Sequence, residues 1–434
     1  MQTSLKKIAY KAKCQKRYRF QNLFRLLNEE SLTACWSRLN KRAAVGIDGV
    51  TYQQYQDNLT ENIHRLVESL KQKRYRAKLV RRRYIPKGGA KLRPLGIPAT
   101  EDKLLQYAVM LILLAIFEQD LLPNCFGYRP SKNAHDAVDE LNKQLFYGSY
   151  HWAVEADVKG FFDNIDHQWM LRMLEQRIDD KAFLWLIRKW LKAGVLEEDG
   201  KVRHPETGTP QGGIISPILA NIYMHYCLNL WFEKVFKKNC RGKAYLCVYA
   251  DDFIACFQHR EDAQAFYSAL GSRLAKFNLT LSEDKTNIIG FSRHNIEKNG
   301  VFEFLGFEFR WTTSRRGKVW LKRSTSKKRL QDSIRNFKQW CKENRHTRLR
   351  HLFKTLNSKL RGHYNYYGVM GNLDGINRFY YRAEQILFKW LNRRSQRNSY
   401  TWAGFYTMRS HFKIEKPRHP QRYAQILAYC RARS

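Results

Sequence analysis

The chain predicts an α+β fold that gives way to an all-α basic module. Three observations carry that reading. Through about residue 310, strand-like runs are interleaved with segments of helical periodicity, and one pair of runs forms a hairpin. Beyond Trp311 the apolar residues recur only at helical spacing. Charge is distributed as unevenly: residues 311–434 carry 30 Lys and Arg against 5 Asp and Glu, in a 434-residue chain of formal net charge +39.

From Gln21 to about Leu70 the apolar spacing is helical, with Leu23, Leu26 and Leu27, then Ile63, Leu66, Val67 and Leu70. A loop, Gly46-Ile47-Asp48-Gly49-Val50, lies between those helices. Leu79–Ile85 and Leu92–Ile97 read as strands, joined by Pro86-Lys87-Gly88-Gly89 into a basic hairpin. Leu104–Phe117 is an apolar run of 14 residues interrupted by Gln106. Crossing a bilayer takes roughly 20, so this run predicts a buried helix. Tyr150–Asp157 alternates as a strand that ends on an aspartate. Lys181–Leu196 and Leu219–Phe236 are helical and flank a Gly/Pro-rich loop, Gly208–Pro217. Tyr245–Val248 and Phe253–Phe257 are short apolar strands joined by Tyr249-Ala250-Asp251-Asp252. A hairpin inside this alternation argues against a doubly wound sheet. The last module reads as three helices, with stripes Leu330/Ile334/Phe337/Cys341, Leu349/Leu352/Leu356/Leu360 and Ile376/Phe379/Ile386/Trp390. Those stripes are core and are given no chemistry.

So large a positive excess points to a polyanionic partner. The first twenty residues add seven basic side chains and no acidic one. Aromatics alternate with basics in Arg361-Gly362-His363-Tyr364-Asn365-Tyr366-Tyr367, which suits RNA with unpaired bases. A merely solubilising surface has no need of one sign concentrated at one end. The nine cysteines form no Cys-x-x-Cys pair and no Cys/His cluster, which argues against a zinc module and fits a reducing cytosol. No apolar signal core follows the basic N-terminus.

Asp251 and Asp252 repel each other, and the strands beside them are too apolar to stabilise both charges. A divalent cation is the natural partner, although a solvated Asp-Asp turn explains these four residues as well. Asp157 ends a separate strand. Two strands presenting carboxylates at their ends can build one site for two cations. Such a site activates a 3′-hydroxyl, clamps a triphosphate and stabilises the leaving pyrophosphate. Asp163 and Asp166 lie beyond the strand and read as helix-capping or surface carboxylates.

In this order, Asp157 with Phe161-Phe162, Pro210-Gln211-Gly212-Gly213-Ile214-Ile215-Ser216-Pro217 and the Tyr249–Asp252 hairpin resemble a reverse transcriptase palm. The finer pattern is similar to the bacterial group II intron reverse transcriptase/maturase family. Gly46-Ile47-Asp48-Gly49 resembles its N-terminal clamp. Ile85-Pro86-Lys87 and Leu92-Arg93-Pro94-Leu95-Gly96-Ile97-Pro98 resemble its fingers hairpin, and Phe126-Gly127-Tyr128-Arg129-Pro130 with Asn133-Ala134 the loop that follows. Leu281–Thr286 and Phe304-Leu305-Gly306-Phe307 resemble later palm motifs, and Leu360–Tyr367 the maturase thumb. These motifs run in unbroken order over about residues 40 to 405.

The resemblance implies a right-hand polymerase: a basic N-terminal extension over 1–40, fingers and palm over 41–310, a helical maturase thumb over 311–395 and a short basic tail over 396–434. It implies RNA-templated DNA synthesis from dNTPs on a DNA primer, with two Mg²⁺ held by Asp157, Asp251, Asp252 and the Val158 carbonyl. Lys87 and Arg93 would grip the triphosphate, Gln211 would contact nucleotide or template, and Lys285 would approach the phosphates. Phe162 would reject a 2′-hydroxyl, with Phe161 the alternative. Lys359, Arg361, Tyr364 and Tyr366 would bind RNA. The partners implied are group II intron RNA, the template–primer and target DNA, on no membrane, in a bacterial cytoplasm close to the nucleoid. Larger members carry a cysteine-rich His-Asn-His endonuclease, which has no counterpart here, so second-strand cleavage is not expected. A splicing factor with a vestigial polymerase site, or a related enzyme serving phage defence or spacer acquisition, are the competing readings.

Overall fold

The computed structural model of the protein describes residues 2–88, 91–209, 211–314, 316–395 and 399–418, without the side chains of residues 87, 88 and 91. The chain divides into two compact units, Met1–Ala137 with Ala156–Ile288, and Val138–Glu155 with Ile289–Ser434.

The first unit is built round the helix Thr100–Phe117. Leu104, Leu105, Ala108, Val109, Ile112, Leu113 and Ile116 are all fully buried and share one broad face, while Tyr107, Met110, Leu111 and Leu114 on the opposite face are half-buried. The helices Gln2–Cys14, Glu29–Trp36 and Ser216–Met224 pack against it. Helix starts obey local chemistry. Asn28, Asp166 and Asp180 each accept a backbone N–H in the first turn, and Thr51 and Gln54 form a reciprocal capping box. Asp166 is thus the expected helix cap.

Two strand systems shape this unit. The basic hairpin pairs Val80–Gly88 with Lys91–Ile97, Ile85 opposite Arg93, and extends through Val195–Leu196 and Val202–Arg203 into a four-stranded sheet. The region expected as one helix from Lys181 to Leu196 therefore stops at Leu191 and turns into a strand. The second hairpin pairs Ala244–Tyr249 with Asp252–Phe257. Leu246, Cys247, Ile254, Ala255, Cys256 and Phe257 are all fully buried, which is why both strands are continuous apolar runs without alternation. After Ser216–Met224 the expected long helix widens into π-helical turns at His225–Asn229 and Phe232–Phe236.

The second unit corrects one expectation. Residues beyond Trp311 are not all helical: Phe307–Thr313 and Val319–Thr325 are strands, in an antiparallel sheet with Phe302–Phe304. Phe307, Phe309 and Trp311 are buried on one strand, Leu321, Arg323 and Thr325 on the next. That is period two, with Glu308, Arg310, Lys322 and Ser324 on the other face. The helices Lys327–Asn344, Leu349–Tyr367 and Leu373–Leu391 follow as expected. Phe337, Cys341, Leu352, Leu356, Leu360, Ile376 and Phe379 form their common core, with Leu330, Ile334, Leu349, Ile386 and Trp390 at its margin. A fourth helix, Trp402–His411, buries Phe405 and stacks Trp402 on Phe388 with centroids 3.9 Å apart. Among the described residues no helix is long and apolar enough to cross a membrane.

Candidate active site

Tyr249 pairs with Asp252, so Ala250 and Asp251 form a two-residue hairpin loop. Such loops need a positive φ, usually supplied by glycine, and here Ala250 takes it at +58°. The surroundings hold it there. Phe126 N–H donates to the Val248 carbonyl at 2.8 Å, and Val248 N–H to Asn124 at 3.0 Å, so the loop before Tyr128 runs along the edge of the hairpin. Arg129 ties that loop down through Glu118 at 2.6 Å and the Leu122 and Cys125 carbonyls. Gly127 lies directly against the turn: a Cβ there would sit 2.9 Å from the Tyr249 carbonyl carbon and still closer to the Ala250 amide. Asn221 fixes the glycine by donating to its carbonyl at 2.7 Å.

Tyr128, also in the left-handed region at φ +54°, joins the pieces of the site. Burial raises its phenol above the ordinary value, the Asp251 charge adds to this and Asp252 contributes less, while Arg93 opposes. Its ring meets Phe162 edge to face at 6.4 Å. Two strained backbone positions, Tyr128 and Ala250, thus lie within one constellation. The two phenylalanines meet edge to face at 5.6 Å but have different further partners. Phe162 faces Tyr128, whereas Phe161, 2% exposed, packs on Tyr223.

Asp157 follows the strand Trp152–Ala156. Its carbonyl accepts Ser282 N–H at 2.8 Å, and Lys159 N–H donates to Thr280 at 2.9 Å. These bonds bracket the Val158–Leu281 bridge, so the amide and carbonyl of Val158 point away from Leu281. The Asp157 carboxylate takes the Lys285 ammonium at 2.5 Å, with Lys285 otherwise 65% exposed. Gln211 lies beside the basic hairpin: its carbonyl accepts Gly96 N–H at 2.5 Å. Gly212, at φ +110°, lets the chain pass where a Cβ would be 2.7 Å from the Gly96 carbonyl. Among the described residues the buried Gln211 Oε1 has no hydrogen-bond partner. Arg93 is exposed on the neighbouring strand. Lys87 belongs to Val80–Gly88, but its side chain lies outside the described residues.

The site therefore sets Gly127 and Tyr128 against the turn that carries Asp251 and Asp252, brings Phe162 to Tyr128, and pairs Asp157 with Lys285. Carboxylates and a carbonyl are hard oxygen donors that suit a divalent cation such as Mg²⁺. Among the described residues no three His, Cys, Asp or Glu side chains are grouped to hold an ion.

The expected RNA-binding residues lie in the second unit. Lys359 is over the Trp340 ring at 5.3 Å, and Arg361 is 3.3 Å from Glu415. Tyr366 is partly exposed, stacks on Phe307 and donates to the Leu305 carbonyl at 2.9 Å. Tyr364 is a correction. At 1% exposure it belongs to the helical core, so it has no free face for a base. The helix turns its ring inward in line with Leu356 and Leu360.

The sequence matches the family described as reverse transcriptase (RNA-dependent DNA polymerase) over residues 85–309. It is 30% identical over 460 residues to the group II intron-encoded protein LtrA of Lactococcus lactis subsp. cremoris, covering 85% of this chain and 74% of that protein. The chain belongs to the reverse transcriptase family. This reverse transcriptase is also 33% identical over 246 residues to protein YkfC of Escherichia coli K12, covering 55% of the chain and 63% of YkfC. A putative COX1/OXI3 intron 1 protein of Saccharomyces cerevisiae is 31% identical over 216 residues, covering 50% of the chain and 26% of that protein. The enzyme is an RNA-directed DNA polymerase, and domains of this family use divalent metal ions. Sequence reasoning read Phe126–Pro130 only as a following loop. It missed Tyr128 as the hub and Gly127 as the support of the turn, because residues about 120 apart touch only in the fold.

Proposed function

We propose that the enzyme copies RNA into DNA at Asp157, Asp251 and Asp252, and also binds group II intron RNA as a maturase assisting splicing and mobility. The polymerase half rests on the strained Asp251–Asp252 turn, held by Gly127 and flanked by Tyr128, Arg93 and Phe162. Two Mg²⁺, held by the three aspartates and the Val158 carbonyl, would supply positive charge for a 3′-hydroxylate and for departing pyrophosphate. Arg93, with Lys87, grips the triphosphate of the incoming dNTP. Lys285 holds Asp157 in the absence of substrate and turns to the phosphates when they arrive. Phe162 closes the space a 2′-hydroxyl would need. The buried Gln211 Oε1 accepts a hydrogen bond from nucleotide or template, satisfying an atom with no donor among the described residues.

The maturase half rests on the intron-encoded relatives and on a second unit whose exposed face carries Lys359, Arg361 and Tyr366. In this reading residues 41–310 are fingers and palm and 311–395 the thumb, working on intron RNA, RNA template, DNA primer and target DNA in the cytoplasm near the nucleoid. RNA must crowd phosphates to fold, and a basic surface lowers that cost. The test is to separate the two activities. Asp251→Ala/Asp252→Ala should still accelerate splicing of the cognate intron yet make no cDNA, and deletion from Ser326 onward should damage both. A wild-type protein that copies RNA but never accelerates splicing of its surrounding intron would overturn the maturase half.

A further inference from the structure

The first unit carries a groove of about 1080 Å³ that shares no residue with the carboxylate site. Its walls bring Arg25, Lys71, Lys73 and Lys181 together with two aromatic rings, Phe24 and Trp185, and its described lining includes no Asp or Glu. Among the described residues Lys71 is paired, with Glu68 at 2.8 Å, while Arg25, Lys73 and Lys181 make no ion pair and are exposed. The nearby carboxylate of Asp180 is occupied by backbone, accepting from Phe24 N–H at 2.9 Å and Phe183 N–H at 3.0 Å. The Lys189 ammonium lies 3.9 Å from the centroid of the Trp185 ring, which itself lines the groove.

The groove is built before any ligand arrives. Phe20 N–H donates to Arg177 and Asp179 N–H to Phe20, each at 2.8 Å, so the segment bearing Phe24 is stitched to the one bearing Lys181 and Trp185. Such preformation removes much of the ordering cost of binding.

We infer that this groove binds unpaired RNA, with bases against Phe24 and Trp185 and phosphates against Arg25, Lys71, Lys73 and Lys181. Cations alone would suit any polyanion. The aromatic faces select one with flat apolar surfaces, and in a duplex those are stacked away. Folded RNA displays such bases in loops and bulges, so it is the form of nucleic acid that fits.

The test uses the full chain and a short single-stranded RNA carrying 4-thiouridine, crosslinked by light and mapped by mass spectrometry. Crosslinks are expected in the peptides holding Phe24 or Trp185. Trp185→Ala should lower that yield about five-fold or more, and Lys73→Ala/Lys181→Ala, two exposed changes, should lower it without disturbing the fold. No crosslink in these peptides, or one indifferent to both variants, overturns the inference. Equal labelling by duplex RNA or single-stranded DNA overturns the choice of unpaired RNA. Displacement by an acidic peptide at equal charge would show that the groove reads charge alone. Primer extension by the same wild-type preparation reports separately on the polymerase assignment, so either can fail without the other.

Discussion

The Tyr249–Asp252 turn and the Arg361–Tyr367 helix segment are both dense in suggestive residues, but the backbone puts them to different uses. In the turn a two-residue loop brings Asp251 partly and Asp252 fully to the surface, and Gly127 closes the far side. In the helix the same spacing that made the motif conspicuous turns half of it inward. Tyr364 is core, His363 stacks on Phe379 with centroids 3.7 Å apart, and Arg361 and Tyr366 remain outside. A motif on a tight turn is therefore mostly chemistry. A motif on an amphipathic helix is partly packing, and only the 3.6-residue period separates the two.

The strongest way to break this contrast is at the turn. Asp251→Ala should lower primer extension about a thousand-fold or more while RNA binding survives. Near-normal extension would remove the site assignment. Gly127→Ala should come next, at roughly a hundred-fold, because its Cβ must displace the Ala250 peptide and carry Asp251 with it. A thermal melt like that of the wild type would show that placement and not folding was lost. Full activity in Gly127→Ala would mean that the turn is not held from this side.

Phe162→Ala should admit ribonucleotides while deoxyribonucleotide incorporation stays comparatively high. Phe161→Ala should instead destabilise the first unit by about 3 kcal/mol, as a buried ring packed on Tyr223. Relaxed sugar selection in Phe161→Ala alone would reverse the two roles.

On the helix side the expected effects are smaller. Burial depresses the His363 imidazole to about 3. Unfolded histidine takes its proton near 6.5, so stability present above that pH is lost progressively as pH falls toward 3. At pH 5 the loss is about 1–2 kcal/mol, and His363→Phe should flatten that part of the profile in urea denaturation. An unchanged slope would mean that His363 is not the group responsible. The smallest effect belongs to Arg361→Ala, which should make the log–log salt dependence of RNA binding shallower by about 0.7–0.9, the value of one phosphate contact. An unaltered slope would place RNA elsewhere than on this helix face.

Charge distribution, the helical stripes after residue 325, the buried helix at Thr100–Phe117 and the Asp-Asp hairpin were all determined by sequence alone. Each depends on residues close along the chain, where period and turn chemistry act directly. The fold decided what local pattern leaves open. Phe307–Thr313 does alternate, but Val319–Thr325 turns Arg323 and Thr325 inward beside Leu321, so its buried face has no apolar signature and the pair of strands is not legible from pattern. The inward turn of Tyr364, the different further partners of Phe161 and Phe162 and the support of Ala250 by Gly127 had no local signature either. Each is a contact whose partner is supplied by tertiary packing, and periodicity along the chain carries no information about which distant element that will be.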